Sequence, residues 1–167
     1  MRTGIGWDSH RLEAGRPLIV GGVRIEHVSG PAAHSDGDVL AHALIDALLG
    51  AAGLGDIGMH FPDTDPRFAG ADSLELLREA VVLAGRAGFA PAYADTTVAL
   101  ERPKLGPHRE AIAAALGAAL GAPVNVKATT GEGIGFVGRE EGIAALAVVT
   151  VEDVDALEPT PPRRVDS

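Results

Sequence analysis

The sequence predicts an α/β protein of the α+β kind, a single domain with a mixed sheet and helices on one face, and three observations carry that prediction. Short β-branched and apolar runs alternate with segments whose apolar residues recur at helical spacing. The run Ile143–Val151 is apolar at nearly every position, which requires cover on both faces of the strand. The length of 167 residues suits one domain of ordinary size with a self-sufficient core. Three helices on so small a domain cover only one face, so the chain is expected to form a homo-oligomer whose sheets face one another.

The elements follow in order. Strand-like runs at Met1–Trp7, Leu18–Val20 and Val23–His27 open the chain, the last two joined at Gly21-Gly22 by a tight-turn signal, and this hairpin is expected at a sheet edge. From Asp38 to about Ala52 the residues Val39, Leu40, Ala43, Leu44, Ala47 and Leu48 recur at helical spacing, with Ser35, Asp36 or Asp38 available as N-cap and Gly50 and Gly53 near the end. Asp56 to Pro66 is rich in Gly, Pro and Asp and reads as a loop. A second helix is predicted from about Ser73, taken as its cap, to Gly88. A strand at Thr96–Leu100, a helix from Pro107 to about Leu120 and strands at Val124–Thr130 and Ile143–Val151 complete the domain, 1–157, and 158–167 is expected to be a disordered tail. Neither internal repeats nor linkers are apparent.

Composition narrows the function. With no cysteine, thiolate metal sites, disulfides and cysteine nucleophiles are excluded, and any zinc must be held by His and carboxylate. A net charge of -9 without a Lys/Arg cluster argues against nucleic acid as partner. The N-terminal residues lack an apolar signal region, and the longest apolar stretch is broken by His42 and Asp46, so neither a membrane nor export is expected and the location is read as cytoplasmic. An anionic substrate would need bound metal ions and a few placed cations.

Asp8 and His10, two apart on an expected strand end, point to the same side, and His42 can join them from the first helix. Two imidazoles and a carboxylate leave a fourth position open on Zn²⁺, which suits chemistry or ligand capture. On their own Asp8 and His10 could simply end a strand in solvent, the commoner case for such a pair. Asp38 and Asp46 lie four residues either side of His42, so either could accept the other ring N–H, while Asp38 could equally serve only as a helix cap.

Three segments, HSDGDVLAH from His34, DIGMHFPDTDP from Asp56 and KATTGEGIGFVGREEG from Lys127, carry a resemblance. From Arg2 to about Glu152 the chain is similar to the 2-C-methyl-D-erythritol 2,4-cyclodiphosphate synthases, homotrimeric enzymes of non-mevalonate isoprenoid synthesis. The resemblance implies sheets packed around a threefold axis and an intramolecular phosphoryl transfer that releases CMP. It makes Asp8, His10 and His42 ligands of one Zn²⁺ per subunit and Glu132 a ligand of Mg²⁺ or Mn²⁺. His34 and Thr130 would stabilise the transition state, with Ser35 beside them. Asp56, Ile57 and Gly58 would grip the methylerythritol hydroxyls, and Phe61, Pro62, Asp63, Thr64 and Asp65 would extend that wall. Leu100, Glu101, Arg102, Pro103, Lys104, Leu105 and Gly106, with Thr129, Thr130, Gly131 and Glu132, would form the cytidine pocket between adjacent subunits. Phe136 and Arg139 would line an axial cavity for an isoprenoid diphosphate.

Each position has a plainer reading. Asp63 and Asp65 suit turns beside Pro62 and Pro66, Lys104 suits a solvated charge, Arg139 and Glu141 suit an interface ion pair, and Phe136 suits a core. Gly131 stands where relatives usually carry a hydroxyl residue and Gly133 where lysine is common, so this loop is expected to be more mobile and to make fewer nucleotide contacts. A metal-dependent phosphohydrolase and a non-catalytic trimer that binds diphosphates remain the competing functions. The hydrolase would need a base for its water, which the sequence does not mark.

Overall fold

Two glycines set how closely the first strand meets the first helix. In the computed structural model, which describes residues 1–155, β1 (Arg2–Ala14) lies against α1 (Val39–Ala52). A Cβ on Gly4 would run into the carbonyl of Ala47, and one on Gly6 into that of Ala43, so only glycine permits this approach. The expected tail at 158–167 lies outside the described residues.

The remaining elements are β2 (Leu18–Val20), β3 (Val23–Ile25), β4 (Ser29–Pro31), α2 (Ile57–His60), α3 (Ser73–Arg86), β5 (Phe89–Ala99), α4 (Arg109–Leu120), β6 (Val124–Thr129), α5 (Gly135–Gly138) and β7 (Gly142–Asp153). A five-stranded sheet has the order β4-β1-β7-β5-β6, with β5 and β6 parallel and the other pairs antiparallel. It is the expected mixed sheet of a single-domain α/β fold.

One face of that sheet is covered. Gly4, Gly6, Asp8 and His10 of β1 pair with Val149, Ala147, Ala145 and Ile143 of β7 on the side that meets α1. Leu40, Leu44, Ile45, Leu48 and Leu49 of α1 are all fully buried, because this helix is enclosed by the sheet on one side and α3 on another. The opposite face is open in the single chain: Ile5 and Trp7 are 68% and 57% exposed, and beside them Val148 and Leu146 continue the apolar surface.

Several expectations need correction. β1 runs on to Ala14 rather than ending at Trp7, because Asp8–Arg11 pair in register with Gly142–Ala145 despite their polarity. Asp8 and His10 therefore stand in mid-strand. The hairpin β2–β3 forms with Gly21 and Gly22 at φ 56° and 76°, as its turn requires, but it is a separate two-stranded sheet. The edge is taken by β4, a strand of three residues without a readable pattern, paired to β1 at Leu12↔Pro31. The hairpin turn docks instead on the start of α1, where the Asp38 carboxylate accepts N–H groups from Gly21 (2.8 Å), Gly22 (2.6 Å) and Ala41 (3.1 Å).

β5 begins at Phe89, seven residues before the expected Thr96, and its pairing with β7 shifts register between Pro91 and Tyr93. A proline and four alanines in this strand hide it from a β-propensity reading. The cap of α3 is Asp72, not Ser73: its carboxylate accepts the Leu74 N–H at 2.8 Å. Pro107 lies in a 3₁₀ turn, Gly106–His108, that leads into α4. Within the expected loop at Asp56–Pro66, Ile57–His60 makes one helical turn.

Candidate functional site

A triangle of ligand atoms forms where β1 crosses the first turn of α1. Asp8 Oδ2 lies 3.0 Å from His10 Nε2 and 3.1 Å from His42 Nδ1, and the two nitrogens are 3.5 Å apart. Alternation along β1 turns Asp8 and His10 toward the helix, and the close approach at Gly4 and Gly6 brings His42 within reach. A tetrahedral zinc with bonds of about 2.0–2.1 Å has ligand–ligand edges of about 3.3–3.4 Å. The three measured edges bracket that value, and all three side chains are half-buried, so the donor set fits one such ion with a position left open. Among the described residues this is the only such group of His, Asp and Glu.

The electrostatics favour a cation. Burial opposes ionisation of Asp8, but the imidazoles of His10 and His42 on its Oδ2 outweigh it and hold the carboxyl well below the usual carboxylate range. Burial likewise opposes a charged His42, yet the Asp8 hydrogen bond, with the fields of Asp8, Asp38 and Asp36, raises its pKa above 6.5. In the metal-free protein the charged form of His42 is thus favoured, and that form carries a proton on the nitrogen that must face a metal.

Zinc must displace that proton, so its affinity should climb about tenfold per pH unit below the His42 pKa and level off above it, as competition with a chromophoric chelator between pH 5.5 and 8.5 would measure. Affinity independent of pH across that window would contradict the raised pKa. The sign for folding is opposite. The His42 contribution to the metal-free fold is fully present below pH 6.5 and is lost as pH rises through the folded value, whereas the Asp8 contribution is present above 3.8 and lost on acidification.

The far side of the His42 ring is held by hydroxyls. Its Nε2 is 2.9 Å from Ser73 Oγ and 3.2 Å from Ser35 Oγ, and Ser73 Oγ in turn donates to Asp36 Oδ1. Of the two readings open for Asp38, ring partner or helix cap, the cap is the one observed, and Asp46 turns to a neighbouring segment instead of the ring. Asp38 is occupied as the cap of α1, and Asp46, one turn beyond His42, accepts the Ile57 N–H at 2.9 Å. Ser73 was not legible as a ring partner, because 31 residues separate it from His42 and no local period links them.

A cavity of about 510 Å³ opens beside the triangle, lined by His10, His42, His34, Ser35, Ile57, Gly58, Phe61, Pro62 and Asp63, with Ala32, Ala33, Phe68 and Leu76 behind. Thus most of the expected substrate wall converges. Asp56, Thr64 and Asp65 do not line it: Asp56 caps α2 through the Met59 N–H at 3.0 Å, and Asp65 is bound to the Arg67 backbone and guanidinium. The Arg67 guanidinium holds the Asp65 carboxyl below its ordinary range. The wall is fastened to the metal side by backbone bonds, Gly70 N–H to His34 carbonyl at 2.9 Å and Asp36 N–H to Ala71 carbonyl at 3.2 Å.

A second cavity, of about 430 Å³, is lined by Leu100, Lys104, Leu105, Gly106, Arg109, Ala128, Thr129, Thr130 and Glu132. Arg109 is an addition to the expected set. Thr130 Oγ1 donates to Glu132 Oε1 at 2.9 Å, and Glu132 sits at φ 50°, a left-handed backbone uncommon for its type, at the tip of the loop. Arg102 and Pro103 lie instead in an adjoining hollow shared with Glu101, Lys104 and His27. Glu101 also accepts the Gly131 N–H at 2.9 Å. Gly131 is no simple loss of a contact, since a Cβ there would press on the backbone of Gly138.

The two cavities lie at the same end of the sheet but apart. Ser9, Ala144, Ala99 and Thr129 occupy one row across β1, β7, β5 and β6. At ~4.8 Å per strand the row spans about 14 Å. Glu132 therefore does not join the metal triangle within one chain. Phe136 is partly exposed rather than core, and the exposed Arg139 guanidinium pairs with Glu141 of the same chain at 2.9 Å.

Comparison with known proteins agrees with this geometry. The profile of the YgbB family matches residues 1–152. A 2-C-methyl-D-erythritol 2,4-cyclodiphosphate synthase of Salinibacter ruber is 58% identical over 155 residues, covering 91% of this chain and 99% of the relative. The bifunctional IspDF of Campylobacter jejuni superposes with TM-score 0.88 at 46% identity over 92% of this chain and 42% of its own. A CDP-bound structure of a 2C-methyl-D-erythritol-2,4-cyclodiphosphate synthase superposes with TM-score 0.83 at 46% identity over 90% of this chain and all (100%) of the other. The chain belongs to the YgbB family, together with these cyclodiphosphate synthases.

Proposed function

We propose that the protein converts 4-diphosphocytidyl-2-C-methyl-D-erythritol 2-phosphate to 2-C-methyl-D-erythritol 2,4-cyclodiphosphate and CMP; the names of its relatives state the cyclodiphosphate as their product. In this reaction an oxygen of the 2-phosphate bonds to the β-phosphorus as the bond from that phosphorus to the CMP oxygen breaks. A phosphate monoester is largely ionised at neutral pH, its second pKa being about 6, so the nucleophile needs little help from a base. The barrier is repulsion between anionic phosphates. The observation that carries the reading is the Asp8, His10 and His42 triangle, a zinc-sized donor set with an open position at the edge of the 510 Å³ cavity.

When bound, zinc and a second divalent ion, Mg²⁺ or Mn²⁺, would neutralise phosphate oxygens and fix the in-line geometry. The residues of the chain divide the remaining work. His34 and Ser35 are placed to hydrogen-bond phosphate oxygens beside the triangle, and Ile57, Gly58 and Phe61 to wall off the methylerythritol. Lys104, Thr129 and Thr130 would hold the cytidine diphosphate, with Glu132 offering a hard carboxylate oxygen to the second ion. A CDP-bound neighbour of the same fold supports a nucleotide diphosphate ligand.

One chain cannot close both cavities on one diphosphate across about 14 Å of sheet. We assign the second half of each site to an adjacent copy, in a homotrimer whose subunits meet through the open face bearing Ile5, Trp7 and Leu146. Phe136 and Arg139 are assigned to an axial cavity for an isoprenoid diphosphate. Among the described residues no helix is long and apolar enough to cross a membrane.

Incubation with the diphosphocytidyl substrate, zinc and magnesium in ¹⁸O-labelled water tests the reaction. CMP and cyclodiphosphate should appear in equal amounts without ¹⁸O in either. Inorganic phosphate or labelled product would establish a phosphohydrolase instead, and binding of CDP without turnover a non-catalytic diphosphate binder.

A further inference from the structure

We infer that Ser73, held by Asp36, is a positioning residue that fixes the His42 ring with its proton on Nε2 and its Nδ1 turned to the metal. The inference rests on the metal reading above. It follows from counting protons along one chain of contacts. Ser73 is fully buried and its hydroxyl has a single hydrogen, which goes to Asp36 Oδ1. A carboxylate only accepts, so that direction is set. The Ser73 oxygen then has only lone pairs to offer His42 Nε2 at 2.9 Å, and the ring nitrogen must be the donor. Asp36 is itself fixed, accepting the Ser73 N–H at 3.0 Å and the Asp38 N–H at 3.1 Å. Ser35 Oγ, 3.2 Å from the same ring nitrogen, already accepts the Gly37 N–H and can accept from the ring as well.

The arrangement matters because the other face of His42 pulls the opposite way. Asp8 Oδ2, 3.1 Å from Nδ1, would favour a neutral ring protonated on Nδ1, the tautomer that blocks the metal. Ser73 and Asp36 oppose that preference. Ser73 also begins α3 and directly follows the 70–72 backbone that is bonded to the His34–Asp36 segment, so the substrate wall and the metal ligand share one anchor.

The test compares Ser73→Ala, Ser73→Thr and Asp36→Asn with the parent protein by zinc competition titration and by ¹⁵N NMR of the His42 ring in metal-free protein at a pH where the ring is neutral. Loss of an orienting partner of a ligating histidine typically weakens metal binding 10–100-fold. Ser73→Ala is expected to weaken zinc by about that factor and to move the ring toward the Nδ1–H tautomer. Ser73→Thr, which keeps the hydroxyl, should restore parental affinity to within about threefold if its methyl is accommodated, which its melting temperature reports. Asp36→Asn, whose amide can donate to Ser73 and so free the Ser73 hydrogen for the ring, should shift the tautomer in the same direction without emptying the Ser73 site.

Parental zinc affinity with an unchanged Nε2–H ring in both Ser73→Ala and Asp36→Asn overturns the inference. Failure of the parent itself to bind zinc would instead overturn the metal reading, so the two failures are separable.

Discussion

Replacing His42 by alanine is expected to lower turnover at least about a thousandfold while leaving the protein folded, because it removes one of three ligands to an ion on which charge neutralisation depends. The folded state tolerates the loss. Ser73 keeps its bond to Asp36, and Asp8 keeps His10 at 3.0 Å, so no buried polar atom is stranded. The expected cost in stability is about 1–2 kcal/mol, a few degrees in melting temperature for a chain of this size. Initial rates of CMP release, with circular dichroism on the same sample, check both halves of the statement. Unchanged turnover in His42→Ala would refute a role for zinc at this triangle.

Leu146→Glu should have a comparable effect on activity by a different route. Leu146 lies beside Trp7 on the open sheet face, at the centre of the proposed subunit contact. An unpaired carboxylate buried there costs several kcal/mol, enough to separate the copies, and leaves the single chain folded because this face does not meet α1. Light scattering should then report a monomer, and turnover should fall at least about a hundredfold because the two cavities no longer meet. Mixing provides the sharper form of the same prediction. Mixed oligomers reconstituted from inactive His42→Ala and inactive Glu132→Ala chains should recover activity, since some sites then combine an intact triangle from one chain with an intact Glu132 from another. A fully active Leu146→Glu monomer would show that one chain suffices.

Much of this was legible in the chain. The metal triangle follows from the two-residue period of a strand at Asp8 and His10 and from one helical histidine, both local signals. The covered and open faces of β7 follow from the apolar run at Ile143–Val151. What could not be read depends on contacts far apart in sequence. β1 outlasts its apolar start because Asp8–Arg11 find partners in β7, which no window over the first residues contains. Four-residue helical spacing leaves Asp38 open as ring partner or cap and Asp46 as ring partner; the cap reading holds for Asp38, which takes the amides of Gly21, Gly22 and Ala41, and Asp46 is drawn to Ile57. Ser73 takes the role from the start of another helix.

The assignment of Gly131 also changed character on folding. By sequence it is a missing hydroxyl; in the structure it permits the 131–138 loop to fold onto Gly138. Gly133, at φ 77° with nothing close to its Cβ position, keeps the turn that follows Glu132. The loop is thus built around glycine, not merely loosened by it.

The central claim is that one cation is held jointly by β1 and α1. Anomalous diffraction at the zinc edge from crystals grown with zinc measures this directly. The account predicts a single strong peak per chain, about 2.0–2.2 Å from Asp8 Oδ2, His10 Nε2 and His42 Nδ1, with a fourth position open to the cavity. No peak there, or a peak with the His42 ring turned away from it, would contradict the account.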